Sequence, residues 1–268
     1  MTGNNHQLQP LMKGLDMKLI RLIPLFVFCM TSVAQGHMLW LAPAEHSLKS
    51  GGTTTIDIGW GHSYPGGEKL KEENIEGVFA VDSSGRRTQL ERIAPARYRF
   101  APRSKGNHTI VVTQRPGFMS TTPDGRRMGS RREHGDAVSC MHFAMSGKTV
   151  ISVGSKDRKR SGRPILPFEI IPLKGTDKAR VGDEVSLMLY FNGKPLPNVK
   201  LKAVDADSAR RKEGSWAQEA VSDSKGVARI RLGAKGQWLI TAHYEKPYQD
   251  TAVCDKDMYL TTLTLTIK

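Results

Sequence analysis

Apolar residues fall in short runs that alternate with polar residues, and clusters of Gly, Pro, Asn and Asp separate these runs. A period of two predicts β-strands, and the periodicity of an amphipathic helix is nearly absent. Many short strands at a spacing of roughly 8–12 residues favour β-sandwiches over a parallel sheet. The predicted strands are 38–42, 53–60, 77–82, 97–100, 108–114, 141–153, 168–173, 184–190, 200–204, 227–232, 238–244 and 259–267.

A basic stretch at 156–163 divides this pattern into two parts. We therefore predict an all-β protein with two domains, an immunoglobulin-like sandwich at 37–164 and a transthyretin-like sandwich at 165–268. In the second part, an Asn-Gly turn at 192–193 and a polar turn at 222–226 connect strands. This order resembles the transthyretin-like or carboxypeptidase-regulatory module, which implies an accessory role without catalysis of its own.

The first 36 residues have the pattern of a secretory signal. Lys18 and Arg21 supply positive charge, an apolar run covers 22–30, and small residues lead to a predicted cut between Gly36 and His37. Residues 1–16 are interpreted as an over-extended start, with Met17 as the true initiator. We expect a periplasmic protein without a transmembrane segment, since no apolar run reaches the roughly 20 residues that span a bilayer.

Export changes the interpretation of the three cysteines. Cys29 leaves with the signal, so Cys140 and Cys254 remain as a pair in an oxidising compartment. A disulfide between them is favoured. The alternative is a pair of thiolate metal ligands.

The chain carries 40 Lys and Arg residues against 26 Asp and Glu residues, a formal net charge of +14. The basic clusters lie in turn-rich segments and are typical of solvated loops. No aromatic residues are interleaved with them, which argues against binding to nucleic acid.

The predicted cut would make His37 the first residue of the mature chain. Its α-amine and imidazole Nδ1 can close a six-membered chelate ring, and one further imidazole gives three nitrogen donors suited to Ni(II), Co(II) or Cu(II). His62 is the best second donor, because it shares strand parity with Ile56, Ile58 and Trp60 and continues their core face at the strand end.

His243 and His142 are the next candidate metal ligands, each on one face of a predicted strand. His108 is interpreted as structural, and His46 and His134 as loop residues. No HExxH, CxxC, GxSxG or P-loop motif is present in the sequence, so we assign no catalytic residue and favour a protein that is not an enzyme.

Two motifs, HMLWLAP at 37–43 and GWGHSYP at 59–65, resemble a bacterial exported family of unknown function that is often labelled a periplasmic component of nickel or cobalt uptake. The likeness continues to the end of the chain. It implies binding of Ni(II) or Co(II) and transfer to a membrane transporter, with His37 and His62 as ligands by position.

Two other functions stay open from the sequence. The same donors could serve a copper-dependent oxidative enzyme. Alternatively, the chain could be an adhesive module that binds carbohydrate or protein, with sugar stacking on Trp40, Trp60, Trp216 or Trp238.

Overall fold

The computed structural model describes residues 36–68, 70–154, 163–176 and 179–268. These residues form one α-helix (α1, Ala206–Arg211), one 3-10 turn (Glu72–Asn74) and nineteen strands. The strands are β1 Met38–Pro43, β2 Ser47–Leu48, β3 Thr54–Gly61, β4 Ile75–Val81, β5 Arg87–Gln89, β6 Glu91–Ala94, β7 Arg97–Phe100, β8 Gly106–Gln114, β9 Gly117–Thr122, β10 Gly125–Met128, β11 Ser139–Val153, β12 Phe168–Pro172, β13 Glu184–Phe191, β14 Lys194–Pro195, β15 Lys200–Asp205, β16 Gln218–Val221, β17 Val227–Arg231, β18 Gly236–Pro247 and β19 Lys256–Ile267.

The predicted all-β fold is confirmed, and every predicted strand overlaps an observed one. The strands that the pattern missed are short, and several have no buried face. All residues of β5, β6 and β10 are exposed, so no alternation of apolar and polar residues marks them. The short α1 is capped by Asp205, whose side chain accepts a hydrogen bond from the Ser208 backbone N–H at 2.8 Å.

The strands form three sheets. A four-stranded sheet has the order β1-β3-β7-β6, and a second small sheet joins β12, β13, β14 and β17. The large sheet runs β16-β15-β18-β19-β11-β8-β4-β5 and also includes β2, β9 and β10. At its centre β11 lies parallel to β19, from Met141 opposite Lys256 to Thr149 opposite Thr264.

Two hydrophobic clusters follow the two halves of the chain. One extends from Phe168 to Ile267 and the other from Leu39 to Val153. The large sheet contains strands from both halves, and the predicted domain boundary falls between β11 and β12. The division into two domains stays a prediction.

Strand β1 lies against the large sheet and is held there by polar contacts. The Thr262 hydroxyl donates to the Leu39 carbonyl at 2.6 Å, and the Thr264 hydroxyl donates to the Leu41 carbonyl at 2.7 Å. Gly147 allows this approach, since a Cβ there would lie 2.8 Å from the Leu39 oxygen. The start of β1 therefore has a fixed position on the large sheet.

The predicted disulfide between Cys140 and Cys254 is confirmed. It connects the start of β11 to the segment before β19. The predicted signal lies almost wholly outside the described residues, as does most of the basic stretch 156–163. No helix in the described part of the chain is long and apolar enough to cross a membrane.

Candidate metal site

The pairing of β1 with β3 brings two of the predicted ligands together. Met38 lies opposite Gly61 in this antiparallel pair. Continuing the register by one residue places His37 opposite His62, and directly opposite side chains lie on the same face of a sheet. The ring centroids of the two histidines are 4.0 Å apart.

His62 is more exposed than its strand parity predicts. The reason is Gly61, whose φ of 131° is favourable only for glycine and turns the chain at the end of β3. His62 therefore leaves the core face that Ile56 and Ile58 occupy, and its ring lies beside His37 at the surface.

A short loop then returns to the same place and adds a carboxylate. The Glu68 backbone N–H donates to the Trp60 carbonyl at 2.7 Å, which closes the loop. Gly67 permits this close return, because a Cβ there would lie 2.8 Å from the same carbonyl. Glu68 Oε2 lies 3.3 Å from His37 Nε2.

His37, His62 and Glu68 each offer one ligand atom, and these atoms all lie within 4.8 Å of one another. Among the described residues, this is the cluster of His, Cys, Asp and Glu side chains with spacing suitable for a metal ion. The His37 ring stacks on Trp60 at 4.7 Å between centroids, with 8° between the ring planes. Stacking fixes the orientation of one imidazole, while Glu68 stays more than half exposed.

Two buried aromatic residues, Trp40 and Tyr64, pack next to the elements that carry this site. Trp40 is 1% exposed, and its ring occupies the space where Gly59 lacks a side chain. Tyr64 meets the Trp40 ring edge-on at 5.7 Å. These contacts hold the end of β3 and the following loop against β1.

His243 lies at the edge of the site. Its Cε1 atom is 3.9 Å from the position that a Cβ on Gly36 would occupy, one residue before His37. Desolvation lowers the pKa of His243 and outweighs the opposing charge of Glu245, although part of the residue remains exposed. A neutral imidazole is the form that binds metal.

His142 lies on the opposite face of the large sheet from His243. It pairs with Asp257 of β19, whereas His243 pairs with Leu260, and residues three apart on a strand point to opposite faces. His142 Nδ1 is 2.8 Å from Asp257 Oδ1, and Lys246 also contacts this carboxylate. Burial raises the pKa of Asp257, but hydrogen bonds from Lys246 and His142 outweigh it and lower the pKa. The structure therefore separates His142 from the other three predicted ligands.

Glu68 is the residue of this cluster that the sequence pattern does not predict. It follows two glycines in a surface loop, where a carboxylate is common and has no strand parity to mark it. The fold-back of the loop onto Trp60 is the signal that identifies it.

The remaining candidate residues have other environments. His108 is buried, and its Nε2 lies 2.9 Å from the Ser104 carbonyl oxygen. His134 Nε2 lies 2.8 Å from the Met128 carbonyl oxygen. Trp40 and Trp238 are each 1% exposed, which removes two of the four tryptophans suggested for sugar stacking.

Fold and site together describe an all-β protein with a surface cluster of two imidazoles and a carboxylate. The chain belongs to the family described as "Domain of unknown function (DUF4198)", which matches residues 34–246. It is also similar to an uncharacterized protein of Haemophilus influenzae, with 23% identity over 231 residues that cover 84% of this chain and 88% of the relative.

Similarity to solved structures is low in both TM-score and sequence identity. Two fibronectin type III domains of chicken tenascin have a TM-score of 0.24 at 9% identity and cover 86% of this chain and 99% of theirs. The Escherichia coli adhesin FdeC has a TM-score of 0.23 at 14% identity, covering 86% of this chain and 64% of the adhesin. The fibronectin(III)-like modules of Clostridium thermocellum CbhA have a TM-score of 0.20 at 9% identity, covering 85% and 94%.

Proposed function

We propose that this protein binds a divalent transition-metal ion, with nickel or cobalt favoured, in the periplasm and delivers it to a membrane transporter. The observation that carries the proposal is the convergence of His37, His62 and Glu68, with ligand atoms within 4.8 Å of one another. Imidazole and carboxylate together are ligands for divalent first-row metals.

The contact between the His37 and Glu68 side chains supports the proposal that both bind one metal ion. His37 Nε2 and Glu68 Oε2 are 3.3 Å apart, so both atoms could turn toward one ion with small side-chain movements. Trp60 limits the movement of the His37 ring. The orientation of His37 is therefore restricted by the sheet, and the loop supplies Glu68 as the more adjustable donor.

Signal cleavage between Gly36 and His37 would add an α-amine to the same place. That amine and the His37 Nδ1 atom would form a chelate, with His62 and Glu68 as further ligands. His243 is the candidate for a remaining position, since its ring lies next to Gly36. Because protons compete for imidazole and amine nitrogens, binding should weaken as the pH becomes acidic.

Isothermal titration of a chain beginning at His37 with Ni(II) and Co(II) tests the proposal. We expect micromolar or tighter binding, and a loss of affinity of about tenfold or more in both His62→Ala and Glu68→Gln. His142→Ala is the matched control, since this histidine lies on the opposite sheet face, and it should leave the affinity unchanged. The proposal is wrong if the parent does not bind at micromolar concentration, or if the His62 and Glu68 variants both bind as tightly as the parent.

A second pair of chains tests the role of the amine. A chain that retains Gly36 before His37 differs by one residue and moves the α-amine away from the chelate position. We expect it to bind Ni(II) at least about tenfold more weakly than the chain that begins at His37. Equal affinity would show that the amine is not a ligand and would leave the side-chain cluster as the site.

A further inference from the structure

Three methionines form a row across neighbouring strands of the large sheet. Met128 of β10 lies opposite Met119 of β9, and Met119 lies opposite Met141 of β11. Directly opposite residues of antiparallel strands share a face, with Cβ atoms about 4.5–5.5 Å apart. The three thioether side chains therefore start within about 10 Å along one line of the same face.

This row reaches the surface. Met128 is 60% exposed, whereas Met119 and Met141 are half-buried. The position of a Cβ on Gly117 lies 2.9 Å from Phe143 Cζ and 3.5 Å from the Met128 Cε atom, so the Met128 side chain lies back over the sheet beside the Phe143 ring. A soft ion could reach the row from Met128 and find Met119 at its centre.

The charges near the row do not prevent a cation from binding. Lys256 lies opposite Met141 in the neighbouring strand, and its Nζ atom is 2.8 Å from Glu245 Oε2. Arg127 precedes Met128, pairs with Asp124 at 3.1 Å, and points to the other face of β10 by strand parity. Each of these cations is paired with a carboxylate.

Thioether sulfur selects a different class of metal from imidazole and carboxylate. Sulfur ligands of this soft type prefer Cu(I), while harder donors suit the divalent ions. Among the described residues, methionine is also the sulfur ligand that stays available, because Cys140 and Cys254 form a disulfide.

We propose that Met119, Met128 and Met141 bind one soft monovalent ion, Cu(I), through their thioether sulfurs, at a site independent of His37, His62 and Glu68. Long, unbranched methionine side chains can converge on a point above the central strand from both neighbours. Thioethers do not take up protons in the physiological range, so binding at this site should not depend on pH.

Ag(I) tests the site as a redox-stable probe of the same charge. The chain is labelled with [methyl-13C]methionine and titrated with Ag(I), and each methyl resonance is assigned from a Met→Leu variant. We expect the resonances of Met119, Met128 and Met141 to shift together with one equivalent of Ag(I). Met188, in β13 of another sheet, should not shift.

Three variants decide the outcome. Met119→Leu nearly conserves volume and should weaken Ag(I) binding at least about tenfold, while Met188→Leu should have no effect. The double variant His37→Ala/His62→Ala should keep the full Ag(I) response, unchanged between pH 7 and pH 5, even if divalent binding is lost. The proposal is overturned if the three methyls do not shift together, if Met119→Leu binds Ag(I) as the parent does, or if the response disappears in the histidine variant.

Discussion

His46 should make the protein lose stability over a defined interval of acidic pH. Its ring is partly buried beside the C-terminal strand, with Nδ1 2.9 Å from the Thr266 hydroxyl oxygen. Its other ring nitrogen is buried without a hydrogen-bond partner in the described residues. Desolvation by burial lowers the pKa of His46 from 6.5 to about 4.

The size and sign of the effect follow from linkage. In the unfolded chain the ring takes up a proton near pH 6.5, but in the folded protein only near pH 4. The contribution of the neutral His46 ring to the free energy of unfolding is therefore fully present above pH 6.5. It decreases as the pH falls from 6.5 to 4 and changes no further below pH 4. Each factor of ten in proton affinity is worth about 1.4 kcal/mol, so the full loss is about 3 kcal/mol. That is a large part of a typical stability of about 5–15 kcal/mol.

The side chains around the His46 ring do not titrate between pH 4 and pH 6.5. The cleft beside His46 is lined by Thr266 and by Asn107, Val150, Ser152, Gly175 and Thr176. None of these side chains titrates in the interval. Among the residues that the structure describes, no carboxylate lines the cleft to offset the cost of charging the ring.

Urea unfolding of the parent and of His46→Gln between pH 4 and pH 7.5 measures the effect. Glutamine can still hydrogen-bond to Thr266 but does not titrate, so subtracting the two curves removes the contribution of every other group. We expect the stability difference between the proteins to change by about 3 kcal/mol in favour of the variant as the pH falls. The difference at pH 7.5 records any change in packing. Two stability curves that remain parallel over the whole range would show that the folded protein does not hold the pKa of His46 below its usual value.

Two further predictions concern stability. The disulfide joins residues separated by 114 positions, so Cys140→Ser/Cys254→Ser should lose about 4–5 kcal/mol in urea unfolding, and a loss below about 1 kcal/mol would contradict the chain-entropy account. A Cβ at residue 59 would lie 2.0 Å from Trp40 Cε2, so Gly59→Ala should lose at least about 2 kcal/mol. The control is Gly135→Ala, because a Cβ at residue 135 meets nothing within 4 Å, and its free energy of urea unfolding should stay within about 0.5 kcal/mol of the parent value. Equal losses in the two glycine variants would argue against the clash with Trp40.

The strands could be predicted wherever one face is buried and the other is not. Ile56 and Ile58 alternate with polar neighbours and mark β3, whereas Glu91 and Arg92 of β6 are both exposed and give no pattern. The strand pairing could not be predicted in the same way. The parallel contact of β11 with β19 joins segments more than 100 residues apart, and no local sequence signal specifies it.

The residues of the candidate site also differ in whether a local sequence pattern or a tertiary contact identifies them. His37 and His62 could be chosen as candidates from the chemistry of an N-terminal histidine and from the parity of one strand. Glu68 and the separation of His142 depend on a loop returning to Trp60 and on which sheet face a residue occupies. Those facts follow from pairing registers, which a single sequence does not contain.

His37 and Glu68 of the proposed metal site are held in place differently, and this difference bears on how the proposed site would release an ion. His37 directly precedes β1, which is hydrogen-bonded to the large sheet through Thr262 and Thr264, so its position is fixed. The Glu68 backbone is bonded to the Trp60 carbonyl across a loop, and the Glu68 side chain, which contacts His37, is more than half exposed. Opening that bond would remove the carboxylate without disturbing β1 or β3. The proposed carrier function requires that the ion is also released, and we expect the movement of Glu68 away from His37 and His62 to allow this release.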